Sequence, residues 1–345
     1  MEILSPTEAH IRRAAEALDA GLLVAFPTET VYGLGAEGFT IPALVRVFEA
    51  KGRPRFDPLI IHIADMAGLD RLADLSSLAG TARARVELLC GRLWPGPLTL
   101  ILPKRPGVPD IATSGLPTVA VRFPDHPVAQ KLIRLSSGTI AAPSANPFGY
   151  LSPTRAEHVR DQLGERVDFI LDGGRSPVGV ESTVLDLSGE RPRILRPGGL
   201  PRETIEALIG PVDLPGRDSG APTAPGQLKS HYAPRTVLSL HSPEEMIALD
   251  YDPSGVYLFF APGSRKAWIA ARREQGIPVP PAQVWTLSET GDLRTAAANL
   301  FDLLHELDRL GASRIRAERA PPQGLGLAIN DRLSRAAAGK ITDHL

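Results

Sequence analysis

The chain has 345 residues, of which 43% are hydrophobic, and a formal net charge of -1. The length favours two domains, and the composition excludes a disordered chain and one drawn to nucleic acid or membranes by its overall charge. A single cysteine, Cys90, excludes a disulfide framework and a thiolate metal site. Because we find neither a signal-peptide pattern nor an apolar run of membrane-spanning length, we expect a cytoplasmic protein that does not enter a membrane.

Strand-like and helix-like segments alternate from the N-terminus to about residue 209, which predicts a mixed α/β domain. Several strand-like runs are almost entirely apolar, as strands covered on both faces are. Thr154 and Glu157 have the spacing of a capping box at the start of one helix. The predicted strands cover 22–26, 59–63, 98–102, 119–123, 140–142, 167–171 and 184–187, and the predicted helices cover 11–20, 41–50, 78–93 and 156–163.

A proline- and glycine-rich stretch then separates this domain from a second one. The stretch predicts a linker, yet it contains His231 and Tyr232, side chains for which a passive spacer has no use. Residues beyond it alternate strand and helix again, which predicts a small βα-layered domain. The predicted parts are 1–209, a linker over 210–235, and 236–345, with strands at 237–240, 255–260, 284–287 and 314–318 and helices at 244–248, 264–274 and 293–310.

Four short polar clusters stand among the apolar runs of the first domain. Lysine and arginine neutralise phosphate oxygens, and serine and asparagine donate directional hydrogen bonds, so the clusters predict a pocket for a phosphorylated ligand. Each cluster also has a simpler explanation, since cations suit helix C-termini and Ser-x-Asn is common in turns. The clusters are Lys-Gly-Arg-Pro at 51–54, Ser-Ala-Asn at 144–146, Glu-Ser-Thr at 181–183 and Arg-Pro-Gly-Gly at 196–199.

Two polar side chains also interrupt predicted strands. Arg122 needs an anionic partner if its strand is buried, from the protein or from a ligand. His62 is by itself more typical of a satisfied core or edge residue than of a ligand-binding group. The sequence has no Gly-x-Ser-x-Gly, HExxH or P-loop pattern. An enzyme here would therefore act by positioning and charge neutralisation, without a covalent nucleophile, as phosphoryl and nucleotidyl transfer can.

Taken together and in order, the motifs of this sequence resemble the threonylcarbamoyl-AMP synthase family in its longer, two-domain form. They extend over most of residues 22–234 with spacing similar to that of the family, and a weaker motif lies near the C-terminus. The stretches are PTETVYGLG (27–35), KGRP with DPLIIHI (51–63), WPGPLTLIL (94–102), GLPTVAVRFPDH (115–126), APSAN (142–146), DGG with ESTVLDL (172–187), RPGGL (196–200), APGQLKSHYAP (224–234) and PPQGLGLAINDRLSRAA (321–337).

The resemblance implies a YrdC-like mixed twisted sheet with helices around a large concave cavity, followed by a smaller Rossmann-like α/β domain. It implies a nucleotidyltransferase that joins ATP, L-threonine and bicarbonate into L-threonylcarbamoyl-AMP and releases pyrophosphate. Mg²⁺ would accompany ATP as the one cofactor. Downstream proteins would transfer the threonylcarbamoyl group to tRNA, to form N6-threonylcarbamoyladenosine, and direct tRNA binding by this chain stays open.

Residue by residue, the resemblance implies two groups of ligand contacts. Asp57 stands where it leads us to expect Asn, and this carboxylate either adds charge near the nucleotide or helps to hold Mg²⁺. Because the carbamate and the mixed anhydride hydrolyse readily, we expect the linker to act as an active-site lid. The implied ATP contacts are Lys51, Arg53, Asp57, Ser114, Ser144, Asn146, Ser152, Arg196 and Tyr232, and the implied threonine contacts are Thr30, His62, Thr118, Arg122, the Ala142 main chain and Ser182.

Two other functions remain as alternatives. One is a non-catalytic RNA-binding module of the same fold, against which the near-neutral charge and the lack of an arginine-rich stretch count. The other is a carbamoyl-adenylate enzyme of hydrogenase maturation, which carries zinc-finger modules that a single cysteine excludes. Pyrophosphate release that depends on threonine is expected of a threonylcarbamoyl-AMP synthase and of neither alternative.

Overall fold

The computed structural model describes residues 1–214 and 232–338, which fall into two compact units. The first unit contains Met1–Phe148 and residues 152–214, and the second contains Gly149–Leu151 and residues 232–338. The predicted domain boundaries after residues 209 and 235 stay predictions, because most of the predicted linker, including His231, lies outside the described residues.

A ten-stranded mixed sheet organises the first unit. Its strands are β1 (Glu2–Leu4), β2 (Val24–Phe26), β3 (Gly33–Glu37), β4 (Ile60–Ile63), β5 (Leu98–Pro103), β6 (Thr118–Arg122), β7 (Thr139–Ala141), β8 (Phe169–Leu171), β9 (Thr183–Asp186) and β10 (Arg193–Arg196). They lie in the order β1-β8-β2-β3-β7-β4-β6-β5-β9-β10. Strands β4 and β6 pair in parallel, whereas β5 and β6 pair antiparallel. The mixed α/β prediction is therefore confirmed.

Eight α-helices accompany this sheet in the described part of the first unit: α1 (Glu8–Asp19), α2 (Ile41–Lys51), α3 (Met66–Leu72), α4 (Gly80–Leu93), α5 (Asp110–Thr113), α6 (Pro127–Leu135), α7 (Ala156–Leu163) and α8 (Arg202–Ile209). The predicted capping box at α7 is wrong. This helix begins after Arg155 without a side-chain cap, and the Thr154 hydroxyl instead lies 3.4 Å from His158 Nδ1.

The two faces of the central strands differ in what they contact. Side chains alternate between faces along a strand, so neighbouring residues of β4, β5 and β6 have different surroundings. Ile61, Val121 and Leu100 pack in the main core. The opposite face carries a small separate apolar cluster of Ile60, Ala120, Ile101, Val184 and Leu195. His62, Arg122 and Thr99 continue this second face by the same alternation, so polar groups lie beside the small cluster.

The second unit is built on a four-stranded parallel sheet. Its strands are β11 (Val237–His241), β12 (Val256–Phe259), β13 (Val284–Thr286) and β14 (Arg314–Glu318), and its helices are α9 (Pro243–Ala248), α10 (Pro262–Glu274), α11 (Leu293–Arg309) and α12 (Gly326–Ala337). The strand order is β11-β14-β12-β13. Parallel strands joined by helices make this a small Rossmann-like domain, as predicted. Across the described parts of both units, no helix has the length and apolar character needed to cross a bilayer.

Candidate active site

The loop after β2 begins the site. Phe26 ends the strand, and the Thr28 hydroxyl lies 2.9 Å from that of Thr30. The main chain of the loop is fixed from the other side, because Val178 N donates to Glu29 O at 2.8 Å. Thr30 is fully buried and Glu29 is 5% exposed. This short loop therefore holds a predicted threonine contact and a carboxylate in fixed positions.

Glu29 forms a buried ion pair with Arg122 at the end of β6. The distance from Glu29 Oε1 to Arg122 Nη2 is 2.7 Å, and Arg122 is 4% exposed. Parallel pairing of β4 and β6 aligns His62 with Arg122. The anionic partner that buried Arg122 needs is therefore a protein residue, Glu29. Glu29 directly precedes Thr30, a predicted threonine contact.

His62 is held as a neutral imidazole. Burial and the positive charge of Arg122 lower the pKa of His62 to about 3. Its ring lies edge-on to Phe26, with 6.1 Å between ring centroids. Its Nδ1 atom is buried and has no hydrogen-bond partner within the described residues. A neutral ring with one unused nitrogen is compatible with the predicted contact with threonine.

Ser182 joins the two predicted groups of ligand contacts. Its hydroxyl lies 2.7 Å from the Thr99 hydroxyl, and Arg196 Nη2 donates to its carbonyl at 2.9 Å and lies 3.2 Å from its hydroxyl. Gly198 packs so closely that an added Cβ would lie 2.3 Å from the Ser182 carbonyl carbon. Ser182 is a predicted threonine contact and Arg196 a predicted ATP contact, so the two halves of the site meet here.

The predicted nucleotide side is assembled around Lys51. Gly52 adopts the left-handed conformation, with φ of 62°, and ends α2. Lys51 Nζ donates to Ser144 O at 2.5 Å and to Asn146 O. Burial, and secondarily the charge of Arg53, hold the pKa of Lys51 well below its usual range. The structure therefore brings the Lys-Gly-Arg-Pro and Ser-Ala-Asn clusters together.

Arg53 and Asp57 form a second buried ion pair. Arg53 Nη2 lies 2.9 Å from Asp57 Oδ2, and Arg53 also donates to the carbonyls of Asp57 and Pro58 at 3.0 and 2.8 Å. Asp57 is fully buried, and burial raises its pKa although Arg53, Lys51 and Arg196 oppose the shift. These four charged residues therefore act on one another within a single electrostatic cluster.

The remaining first-unit predictions differ in how close they lie to these clusters. The Ser152 hydroxyl donates to Glu181 Oε1 beside the Ser182 junction. Ser114 has φ of 53°, and its hydroxyl donates to Arg55 O at 2.8 Å, near Arg53. The Ala142 main chain donates to Ile60 O at 2.9 Å.

Thr118 and Tyr232 are two predicted ligand contacts whose own surroundings the structure describes. Thr118 begins β6, at the other end of the strand from Arg122, and pairs with Pro103 of β5. Tyr232 belongs to the second unit, where its ring lies 5.8 Å from Phe301 and the Arg332 guanidinium lies 4.9 Å from its ring centre. The threonine contact of Thr118 and the nucleotide contact of Tyr232 stay predictions.

Three side chains of the site were not predicted: Glu29, Thr99 and Glu181. Glu29 lies in the 27–35 motif, where its carboxylate stood out less than the neighbouring threonines. Thr99 is the one polar residue in the apolar run 98–102, a signal that could have been used. Glu181 belongs to a polar cluster of the sequence without a predicted role of its own, and in the structure it accepts a hydrogen bond from Ser152.

Comparisons with known proteins agree with this arrangement. The family model Sua5–YciO–YrdC, described as "Telomere recombination", matches residues 16–198, and one described as "Threonylcarbamoyl-AMP synthase, C-terminal domain" matches residues 200–338. A threonylcarbamoyl-AMP synthase of Bacillus subtilis is 42% identical over 98% of this chain and 96% of its own length. One of Pyrococcus abyssi is 43% identical over 96% of this chain and 95% of its own length.

A solved structure is similar along the whole chain. The crystal structure of P. abyssi Sua5 complexed with L-threonine has a TM-score of 0.85 and 41% sequence identity, and the match covers 98% of each chain. Both units therefore have counterparts in one known protein. The chain belongs to the threonylcarbamoyl-AMP synthase family.

Proposed function

We propose that this protein is an L-threonylcarbamoyladenylate synthase, a nucleotidyltransferase that converts ATP, L-threonine and bicarbonate to L-threonylcarbamoyl-AMP and pyrophosphate. The names of its relatives and the threonine complex of P. abyssi Sua5 support the assignment. The observation that carries it is the buried contact between Ser182 and Arg196, since it joins the predicted threonine and ATP contacts.

The reaction requires several anionic groups to come together. Threonine first becomes an N-carboxylate, whose oxygen attacks the α-phosphorus of ATP while the bond to pyrophosphate breaks. Lys51, Arg53 and Arg196 would reduce the repulsion between the carboxylate and the phosphates. Buried cations are effective in this role because water screens them little. No covalent enzyme intermediate is needed, so catalysis is positioning and charge neutralisation.

Mg²⁺ would accompany ATP in this site. Asp57 fits as its protein ligand, because both carboxylate oxygens are buried and accept no hydrogen bond from the described residues. Mg²⁺ commonly takes one or two carboxylates together with substrate phosphates and water, so one aspartate suffices. Within residues 1–214 and 232–338, no group of three or more His, Cys, Asp or Glu residues is arranged to hold a metal. The bound ion would neutralise phosphate charge.

We assign the protein to the cytoplasm and its product to proteins that transfer the threonylcarbamoyl group to tRNA. The chemistry supports a transfer partner, because the mixed anhydride is activated for attack by an amine and hydrolyses if it is released. The proposed lid over 210–235 would protect it, and its central part lies outside the described residues.

Pyrophosphate release tests the function. The protein is incubated with ATP, bicarbonate and threonine, and each component is omitted in turn. We expect release to require threonine and bicarbonate, and Arg53→Ala to abolish it while the fold persists. Arg13→Ala is the matched control, because Arg13 forms an exposed pair with Glu2. Release that ignores threonine, or unchanged turnover in Arg53→Ala, would contradict the assignment.

A further inference from the structure

We propose that Glu29 binds the ammonium group of threonine and accepts a proton from it, so that the amine can attack carbon dioxide. This inference rests on the proposed function. It adds a catalytic residue that the sequence motifs did not single out.

The buried ion pair of Glu29 and Arg122 retains unused hydrogen-bonding capacity. Besides the 2.7 Å contact between Glu29 Oε1 and Arg122 Nη2, neither Glu29 oxygen accepts a hydrogen bond within the described residues. The Nε and Nη2 atoms of Arg122 donate none there either. Buried polar groups are normally hydrogen-bonded, because leaving them unpaired costs free energy. A pair with several unused donors and acceptors is therefore suited to a ligand that supplies both kinds of partner.

An α-amino acid is such a ligand. It presents an anionic carboxylate and a cationic ammonium group on one carbon atom, and the ion pair presents the opposite charges side by side. Arg122 has donors for the carboxylate, and Glu29 has acceptors for the ammonium group. The neighbouring groups fit this orientation, since His62 is aligned with Arg122 and Thr30 follows Glu29 directly.

The chemistry also requires a proton acceptor at the amine. Threonine in water is an ammonium ion, and only the free amine has the lone pair that attacks carbon dioxide. One proton passes from the ammonium group to the Glu29 carboxylate. The nitrogen then bonds to the carbon of carbon dioxide, and a C=O electron pair moves onto oxygen. The second nitrogen proton joins the hydroxide that bicarbonate leaves when it yields carbon dioxide, and water forms.

The test compares threonine with 3-hydroxybutyrate of matching configuration, which is threonine without its amino group. Dissociation constants are measured by calorimetry for the wild-type protein, Glu29→Gln and the exposed control Glu16→Gln. We expect Glu29→Gln to bind threonine about tenfold or more weakly, as loss of a hydrogen bond to a charged group predicts, and the analogue within twofold of wild type. Saturating threonine should leave turnover about 100-fold low, since general-base catalysis contributes on this scale.

Equal weakening of both ligands would overturn the inference, because Glu29 would then act only by orienting Arg122. Unchanged threonine affinity would overturn it as well. Glu29→Asp keeps the charge and provides the second variant if Glu29→Gln fails to fold. It should retain the preference for threonine over the analogue, and loss of that preference in a folded Glu29→Asp protein would contradict the role. Wild-type protein that binds no threonine would instead refute the proposed function.

Discussion

The two buried ion pairs of the site are built in different ways. Arg53 and Asp57 are four residues apart, and Arg53 also donates to two carbonyls of the same loop. Arg122 and Glu29 come from distant parts of the chain, and their remaining hydrogen-bonding groups are largely unused within the described residues. On the predicted nucleotide side, the arginine is thus held by its own loop, while the Asp57 oxygens accept no hydrogen bond from the described residues. On the predicted threonine side, both partners of the ion pair keep polar atoms without a hydrogen bond there.

The protonation states differ as well. On the nucleotide side, burial lowers the pKa of Lys51 and raises that of Asp57, so both shifts favour uncharged forms. On the threonine side, His62 is neutral while Glu29 and Arg122 balance each other as an ion pair. We infer that phosphate binding changes the charges on one side of the site and that threonine binding mainly exchanges partners on the other.

Among the variants that compare the two sides, Arg196→Ala has the largest expected effect, because Arg196, a predicted ATP contact, binds Ser182, a predicted threonine contact. We expect kcat/KM to fall by about 100-fold or more, as loss of a donor at developing charge does, and the KM values of both ATP and threonine to rise. The pyrophosphate assay measures all three. Arg193→Ala on the same strand is the control, since its side chain is 56% exposed. A rise in the KM of ATP alone would show that Arg196 does not link the predicted ATP side of the site to the predicted threonine side.

Replacing His62 tests whether its imidazole stays uncharged in the folded protein. Folded His62 stays neutral to about pH 3, whereas the unfolded residue protonates below about pH 6.5, so unfolding takes up a proton between these values. Its contribution to stability therefore falls with falling pH, by about 1.4 kcal/mol for each unit. Denaturant unfolding from pH 7 to 5 should show a weaker pH dependence for His62→Gln than for wild type. His10→Gln, at a partly exposed histidine, serves as control. Parallel curves for wild type and His62→Gln would refute the neutral state of His62.

ATP binding should be coupled to proton uptake. When Mg²⁺, which would hold Asp57 in its charged form, is left out, triphosphate favours charged Lys51 and protonated Asp57. In the free protein the pKa of Lys51 is lowered and that of Asp57 is raised. Both groups therefore bind protons as ATP enters. ATP affinity then falls as the pH rises, by less than tenfold per pH unit for each proton taken up. Calorimetry without Mg²⁺, in buffers of different ionisation enthalpy, measures the number of protons. Asp57→Asn should reduce that number, whereas Asp110→Asn, an exposed control, should not. An equal number in wild type and Asp57→Asn would exclude Asp57 from the coupling.

The smallest expected effect concerns Thr99, which supports Ser182 from the neighbouring strand. Thr99→Val removes the hydroxyl but keeps the shape, so we expect about a fivefold rise in the threonine KM, the size of one net hydrogen bond. The ATP KM should stay within twofold of wild type. Thr99→Ser restores the hydroxyl and should restore most of the affinity. If Val and Ser at this position behave alike, the contact does not position Ser182.

Fold features that depend on local pattern could be predicted, and those that depend on close packing could not. Apolar runs predicted β4, β5 and β6, because strands buried on both faces need continuous hydrophobic sequence. Strand β3 was missed because glycines at 33 and 35 weaken a strand pattern. The structure explains Gly35: an added Cβ would lie 2.9 Å from side-chain atoms of both Ile140 and Phe26. Neither neighbour is close in sequence, so nothing local revealed the strand.

By itself, the sequence determined the local chemistry: the cations of the Lys-Gly-Arg-Pro turn, the hydroxyls and amide after β7, and motifs whose order matched one family. Only the tertiary structure decided which of these groups meet. It pairs Arg122 with Glu29 and Arg196 with Ser182. The physical reason is that strand register and loop packing bring together residues far apart in the chain. Local propensity and motif spacing do not encode those distances.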